Sequence, residues 1–98
     1  MNKTFTTSAQ KTIALSTNKI LKLLNDHFTA ETGLTFKETA RKNILEAKMK
    51  DGSKLIIAAF EKENGKSLAM VDHKDLPNSN NRTAIQRGLR KTLDGIFQ

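Results

Sequence analysis

An α+β fold is what this sequence predicts, and three observations predict it. Two turn dipeptides, Asp51-Gly52 and Asn64-Gly65, lie in the middle of the chain between alternating residues, as tight β-hairpins require. Before them Ile20, Leu24 and Phe28 recur every four residues, and after them Ile85, Leu89, Leu93 and Ile96 recur at helical spacing. Both sets are the buried stripe of an amphipathic helix. The expected order is α-β-β-β-α: a small single domain with a three-stranded antiparallel meander and both helices packed on one face.

The chain opens on polar residues 1–8, which have little to bury and read as a flexible leader, leaving residues 9–98 as one α+β domain. The first helix is expected at about 17–31, capped by Ser16 or Thr17 and stopped by Gly33 in the left-handed conformation. Leu21 and Leu23 widen its apolar stripe, while Lys19, Lys22 and Asp26 fall largely on the wet side.

If both turns are two-residue loops, Met49 faces Lys54, Ala47 faces Ile56, Phe60 faces Ala69 and Ala58 faces Val71. One sheet face then gathers Leu45, Ala47, Met49, Ile56, Ala58, Phe60, Ala69 and Val71, with Lys54–Lys62 as the central strand. Residues 35–50 read in two ways. Thr35 and Glu38 fit a capping box, and Glu38/Lys42 and Glu46/Lys50 are spaced for helical ion pairs, which would leave only a two-stranded hairpin. The favoured reading is a short turn or loop at 35–42 and a strand at 43–50, because a lone hairpin is marginal and residues 54–62 are apolar on both faces. Leu76-Pro77 then breaks the chain, and Asn78-Ser79-Asn80-Asn81 offers caps for the final helix. Gly88 inside that helix suggests close approach to the sheet.

Composition narrows the function. At 98 residues the chain builds one core, and with no cysteine it has neither disulfides nor thiolate metal sites. That fits a reducing, cytoplasmic location, and no segment approaches the roughly 20 apolar residues of a membrane span. Seventeen Lys and Arg against ten Asp and Glu leave a net charge of +7, which points to an anionic partner. The excess is most concentrated in residues 78–98, with four basic groups and one acidic.

Catalytic and metal chemistry find little support. His27 and His73 belong to no ligand spacing, there is no Cys nucleophile or G-x-S-x-G elbow, and the glycines are isolated rather than gathered in a phosphate loop. Asp72 and Asp75 flank His73, but this stretch reads as a solvated turn before Pro77. The expectation is a protein that is not an enzyme and carries no cofactor.

Binding residues are easier to name. Arg82, Arg87, Arg90 and Lys91 lie off the apolar stripe of the final helix, and arginine's planar fork suits phosphates and carboxylates. Lys48, Lys50 and Lys54 cluster around the first hairpin and would extend the patch, although lysines on strands also guard against aggregation. With no Tyr or Trp, and with Phe36, Phe60 and Phe97 assigned to the core, platforms for stacking single-stranded bases are scarce. Recognition of a nucleic-acid backbone remains, weakening steeply with salt. The element order resembles that of double-stranded-RNA-binding domains, where basic residues at the start of the last helix meet phosphates, but the dense lysine and alanine pattern of that helix is missing here.

The second sheet face supplies the rival reading. In the derived register Leu55, Ile57, Leu68 and Met70, with Ala59, point away from the helices. Phe5, Ile13 and Leu15 of the N-terminal segment would cover them, or a second copy of the chain would, or a protein target. Two functions are therefore expected: contact with nucleic-acid phosphates through the C-terminal helix, or an inhibitor or adaptor docking on an acidic or nucleic-acid-processing protein. Small virus-encoded antagonists of host defence share the second character.

Overall fold

The computed structural model describes residues 4–77 and 81–98. Its elements in chain order are β1 (Thr4–Ile13), α1 (Thr17–Thr32), β2 (Lys37–Glu38), β3 (Ile44–Lys48), β4 (Lys54–Glu61), β5 (Ser67–Pro77) and α2 (Arg82–Ile96). The strands form one five-stranded antiparallel sheet in the order β1-β5-β4-β3-β2. The α+β class and the central meander stand; two strands, one at each sheet edge, are added to it. That departs from the double-stranded-RNA-binding element order.

Helix α1 follows its local signals closely. Ser16 is the N-cap, its hydroxyl accepting from the Lys19 N–H at 3.2 Å. Gly33 closes the other end at φ 72°, its N–H donating to the Thr29 carbonyl at 2.9 Å. Ile20, Leu24 and Phe28 are the buried stripe. In α2 the buried positions are Leu89 and Leu93, with Ile85 and Ile96 half-buried, and Phe97 closes the core just beyond the helix. Gly88 does not approach the sheet: it is exposed, and a methyl group placed on it would meet nothing within 4 Å.

The segment expected as a leader is largely a strand. Residues 4–8 belong to β1, which runs antiparallel to β5 from Thr4 opposite Pro77 to Ile13 opposite Ser67; Met1, Asn2 and Lys3 lie outside the described residues. Phe5, Thr7 and Ala9 alternate inward and are buried. The pairing shifts between Phe5 and Thr7, where Asp75 on β5 takes φ 57°. This extra residue is a β-bulge, and it turns Leu76 inward beside Phe5, leaving both buried.

Both hairpin registers differ from the expected ones by one residue, each for a reason visible in its turn. In the first, Gly52 at φ 90° donates to the Met49 carbonyl, and the Met49 N–H donates to the Ser53 carbonyl at 2.8 Å. The loop is therefore Lys50-Asp51-Gly52, a common longer hairpin loop with its glycine left-handed, and Lys48 rather than Met49 faces Lys54. In the second, Asn64 and Gly65 do form a turn with both φ values positive. Lys66, however, is opposed by two residues, accepting from the Lys62 N–H at 2.9 Å and donating to the Glu63 carbonyl at 3.3 Å. That bulge sets Phe60 opposite Leu68 rather than Ala69.

Two slips in the same sense invert the central strand alone. Leu45, Ala47, Ala69 and Val71 face the helices as expected, but their neighbours there are Leu55, Ile57 and Ala59. Leu55 and Ile57, expected on an exposed interface, are core residues at 4% and 0% exposure. Strand β4 is apolar on both parities, so the hydrophobic pattern satisfied either register. Both helices pack on this one face, and Ile20, Leu24 and Phe28 of α1 meet Leu89 and Leu93 of α2 over Leu55, Ile57, Ala59, Ala69 and Val71.

Candidate functional site

No described element covers the opposite face of the sheet, and its side chains follow directly from the strand register. Nearest the β3–β4 hairpin, Lys48 lies opposite Lys54, which lies opposite Lys74. The next row runs Lys37, Glu46, Ile56, Asp72, Ser8. Beyond it come Ile44, Ala58, Met70 and Gln10, and then Phe60, Leu68 and Thr12. The face is thus graded, with a basic end and an apolar end. Phe60 is 37% exposed, while Ile44, Ile56, Leu68 and Met70 are half-buried.

The lysine row is an unusual arrangement for a sheet. Like charges directly opposed across strands have Cβ atoms only about 5 Å apart and destabilise the pairing, by ~0.2–1 kcal/mol in the magnitude typical of such pairs. Among the described residues none of the three lysines makes an ion pair; the bridges there are Lys11–Asp94 and Lys22–Asp26. The acids on the face stand one row away, Glu46 on the strand of Lys48 and Asp72 on that of Lys74. The Asp72 Oδ1 is buried with no hydrogen-bond partner among the described residues. Burial pushes its carboxyl above the usual range, an effect the Lys74 charge partly offsets.

The basic residues of α2 lie on the other side of the molecule, so Lys48, Lys50 and Lys54 do not extend their patch. Helix α2 rests along β1. The Arg82 guanidinium sits 5.1 Å from the Phe5 ring centre, the Gln86 side-chain amide donates to the Ser8 carbonyl at 3.3 Å, and Lys11 pairs with Asp94 at 2.9 Å. Arg87 and Arg90 border a shallow cleft of about 280 Å³ between helix and strand, and Lys91 is exposed. Lys50 stands at the tip of the β3–β4 hairpin. Leu68 and Met70 are on the open face as expected, whereas Phe60, assigned to the core, is there too.

His73 proves to have partners, though not Asp72 or Asp75. It lies within β5, half-buried, with Nε2 2.9 Å from the Ser53 hydroxyl. Asp51 accepts from both the Ser53 N–H, at 2.8 Å, and the Ser53 hydroxyl. Because that hydroxyl donates its one proton to Asp51, His73 must donate through Nε2, the reverse of the polarity that activates a serine nucleophile. Ser53 is also 0% exposed and out of reach of a substrate. The trio is a latch holding the hairpin to β5. Burial lowers the His73 pKa, with the Asp51 charge opposing, while the bonds from Ser53 lower that of Asp51.

The fold also brings His27 and His73, distant in sequence, to one cleft of about 580 Å³ at the C-terminal ends of the helices. Among the described residues no group of three or more His, Cys, Asp or Glu is placed to hold a metal ion. Nor is any described helix long and apolar enough to cross a membrane.

Fold and surface together define a small α+β domain with two helices on one side of a five-stranded antiparallel sheet and a lysine-bearing face on the other. No protein-family model matches the chain, and no curated protein sequence matches it. A crystal structure of an uncharacterised protein from Bacillus thuringiensis aligns with 94% of this chain and 90% of its own, at 14% identity and a TM-score of 0.37. A likeness at that level carries no argument about function.

Proposed function

We propose that this protein is a non-catalytic docking module, an adaptor or inhibitor, that binds an acidic protein partner with the open face of its sheet. The observation that carries this reading is the cross-strand row Lys48–Lys54–Lys74 beside a half-exposed apolar strip. Three opposed ammonium groups cost stability in the free protein, and an anionic partner relieves that cost on binding. Ile44, Ile56, Phe60, Leu68 and Met70 need an apolar counterpart, which a nucleic-acid backbone does not offer. An amphipathic acidic segment offers both. The test is a fluorescence-anisotropy titration with a labelled helical peptide of Glu and Leu at i, i+3 and i+4 spacing, against short duplex DNA and RNA. Saturable, salt-sensitive peptide binding, lost in Lys54→Glu/Lys74→Glu and in Phe60→Asp, is the expected result.

A second reading rests on the cleft beside Arg87 and Arg90. There the basic face of α2, with Arg82 and Lys91, contacts nucleic-acid phosphates. Duplex binding that survives physiological salt and is lost in Arg87→Glu/Arg90→Glu, but not in Lys54→Glu/Lys74→Glu, would replace the first reading with this one.

A further inference from the structure

We propose that the cleft between the C-terminal ends of the two helices binds a small organic ammonium ion: a primary amine on a compact apolar body. The site lies on the helix side of the sheet and does not depend on what the open face binds. Its electrical character is opposite to that of the rest of the chain. Although the sequence has 17 Lys and Arg, none lines this cleft, and Glu31 is its charged side chain. Helices α1 and α2 both present their last turns to it, and neither carries a basic residue in that turn. The partial negative charge of the two C-termini is therefore met by no cation of the helices themselves; Lys11, held by Asp94, and Lys50, which shares a neighbouring cleft with Thr32, do not line this one.

The walls supply the rest of the recognition. Phe28, Met49, Leu55, Leu89 and Ile96 make the body of the cleft apolar. About 580 Å³ is within the range of small-ligand sites. His73 spends its Nε2 proton on Ser53, which leaves Nδ1 as an acceptor, and burial favours this neutral form. A ligand ammonium would thus meet Glu31, an imidazole acceptor and the helix ends, while its hydrocarbon fills the apolar part.

The site also has a defined pH response. The titratable groups facing it are His27 and Glu31 from α1 and His73 from β5, with Asp51 behind Ser53 on the hairpin; α2 contributes Leu89, Thr92, Gly95 and Ile96, none of which titrates. Protonating the His73 imidazole places a cation where the ligand's cation would sit, and because burial holds its pKa below the ordinary histidine value, affinity falls on acidification below that value.

The experiment is an NMR titration of the intact chain with 2-phenylethylamine, and with phenylacetate and 2-phenylethanol as probes of the same body with negative and no charge. Saturable shifts of the His27 and His73 rings and the Met49 methyl with the amine, at least about tenfold tighter than with either control, are expected from a charge-assisted contact. Glu31→Gln should weaken the amine about fivefold or more with the remaining amide spectrum unchanged. Because Glu31 is exposed, this variant folds, and its spectrum checks that it has. Absence of saturable shifts with the amine, equal binding of phenylacetate, or indifference to Glu31→Gln would each overturn the proposal.

Discussion

Ile56 and Ile57 are adjacent in sequence and identical in chemistry, yet the register of β4 gives them opposite environments. Ile57 is 0% exposed, opposite Leu45 on one side and Val71 on the other, beneath the helix layer. Ile56 lies on the open face between Glu46 and Asp72, half-buried, with no described layer above it. Truncation to alanine removes the same three carbons at each site and the same strand propensity. At Ile57 the lost transfer energy is ~2.5 kcal/mol, and the cavity left between sheet and helices raises the cost to about 3–4 kcal/mol. At Ile56 neighbouring side chains and water close the gap, and about 1 kcal/mol is expected. The assay is urea unfolding followed by far-ultraviolet circular dichroism, since the chain has no Trp or Tyr for fluorescence. With an m-value of about 1 kcal/mol/M, the Ile57→Ala midpoint should fall about 2–3 M below that of Ile56→Ala. Equal midpoints, or a costlier Ile56→Ala at unchanged m, would refute the register and restore the two-residue hairpins.

Lys54→Thr removes the middle of the lysine row and should stabilise the fold by up to about 1 kcal/mol at low salt, with the gain shrinking as salt rises, while weakening an acidic partner. Gly88→Ala should stabilise by about 1 kcal/mol and raise Tm by several degrees in calorimetry, because the site is helical, exposed and open. Ser16→Ala should cost about 1 kcal/mol in the same measurement through loss of the Lys19 N–H cap. The folded pKa of His73 is depressed, so the unfolded chain binds the proton more readily and stability must rise with pH across that window. The contribution is complete above about pH 6.5 and is lost as pH falls through that value toward the lower folded one, and urea midpoints of His73→Gln should lack this step.

Local chemistry was legible wherever one residue decides one conformation. Ser16 and Gly33 delimited α1 to within a residue, and Asp51-Gly52 and Asn64-Gly65 marked both hairpins. What the chain hid was counting at those turns, because a loop of two residues or three, or a bulge opposite Lys66, changes no residue type. Alternation would normally expose such a slip, but residues 55–60 are apolar throughout and accept either register. Of the candidate face, Leu68 and Met70 were found from their own alternation, and Lys48 and Lys54 from their place beside the hairpin. Phe60 and Ile56 were lost to the slip. Lys74 was obscured by Asp72 and Asp75, which a solvated-turn reading groups with it and a strand separates. The tie between Ser53 and His73 joins neighbouring strands over a wide gap in sequence, and no spacing rule signals it.

Strand β1 is made first and can be placed only near the end. Its partner β5 finishes at Pro77, so on the ribosome the N-terminal segment has emerged long before the surface it pairs with. The meander from β2 to β5 closes by short loops, whereas joining β1 to β5 closes a loop of most of the chain and carries the largest loop-closure cost in the sheet. During that interval β1 is an unpaired strand, the kind of species that associates with other chains. Its sequence, Thr-Phe-Thr-Thr-Ser-Ala-Gln-Lys-Thr-Ile, is rich in hydroxyl groups and poor in large apolar ones. The polarity that conceals β1 from a hydrophobicity reading is thus what lets it wait in water, available for its place beside β5 and unattractive to anything else.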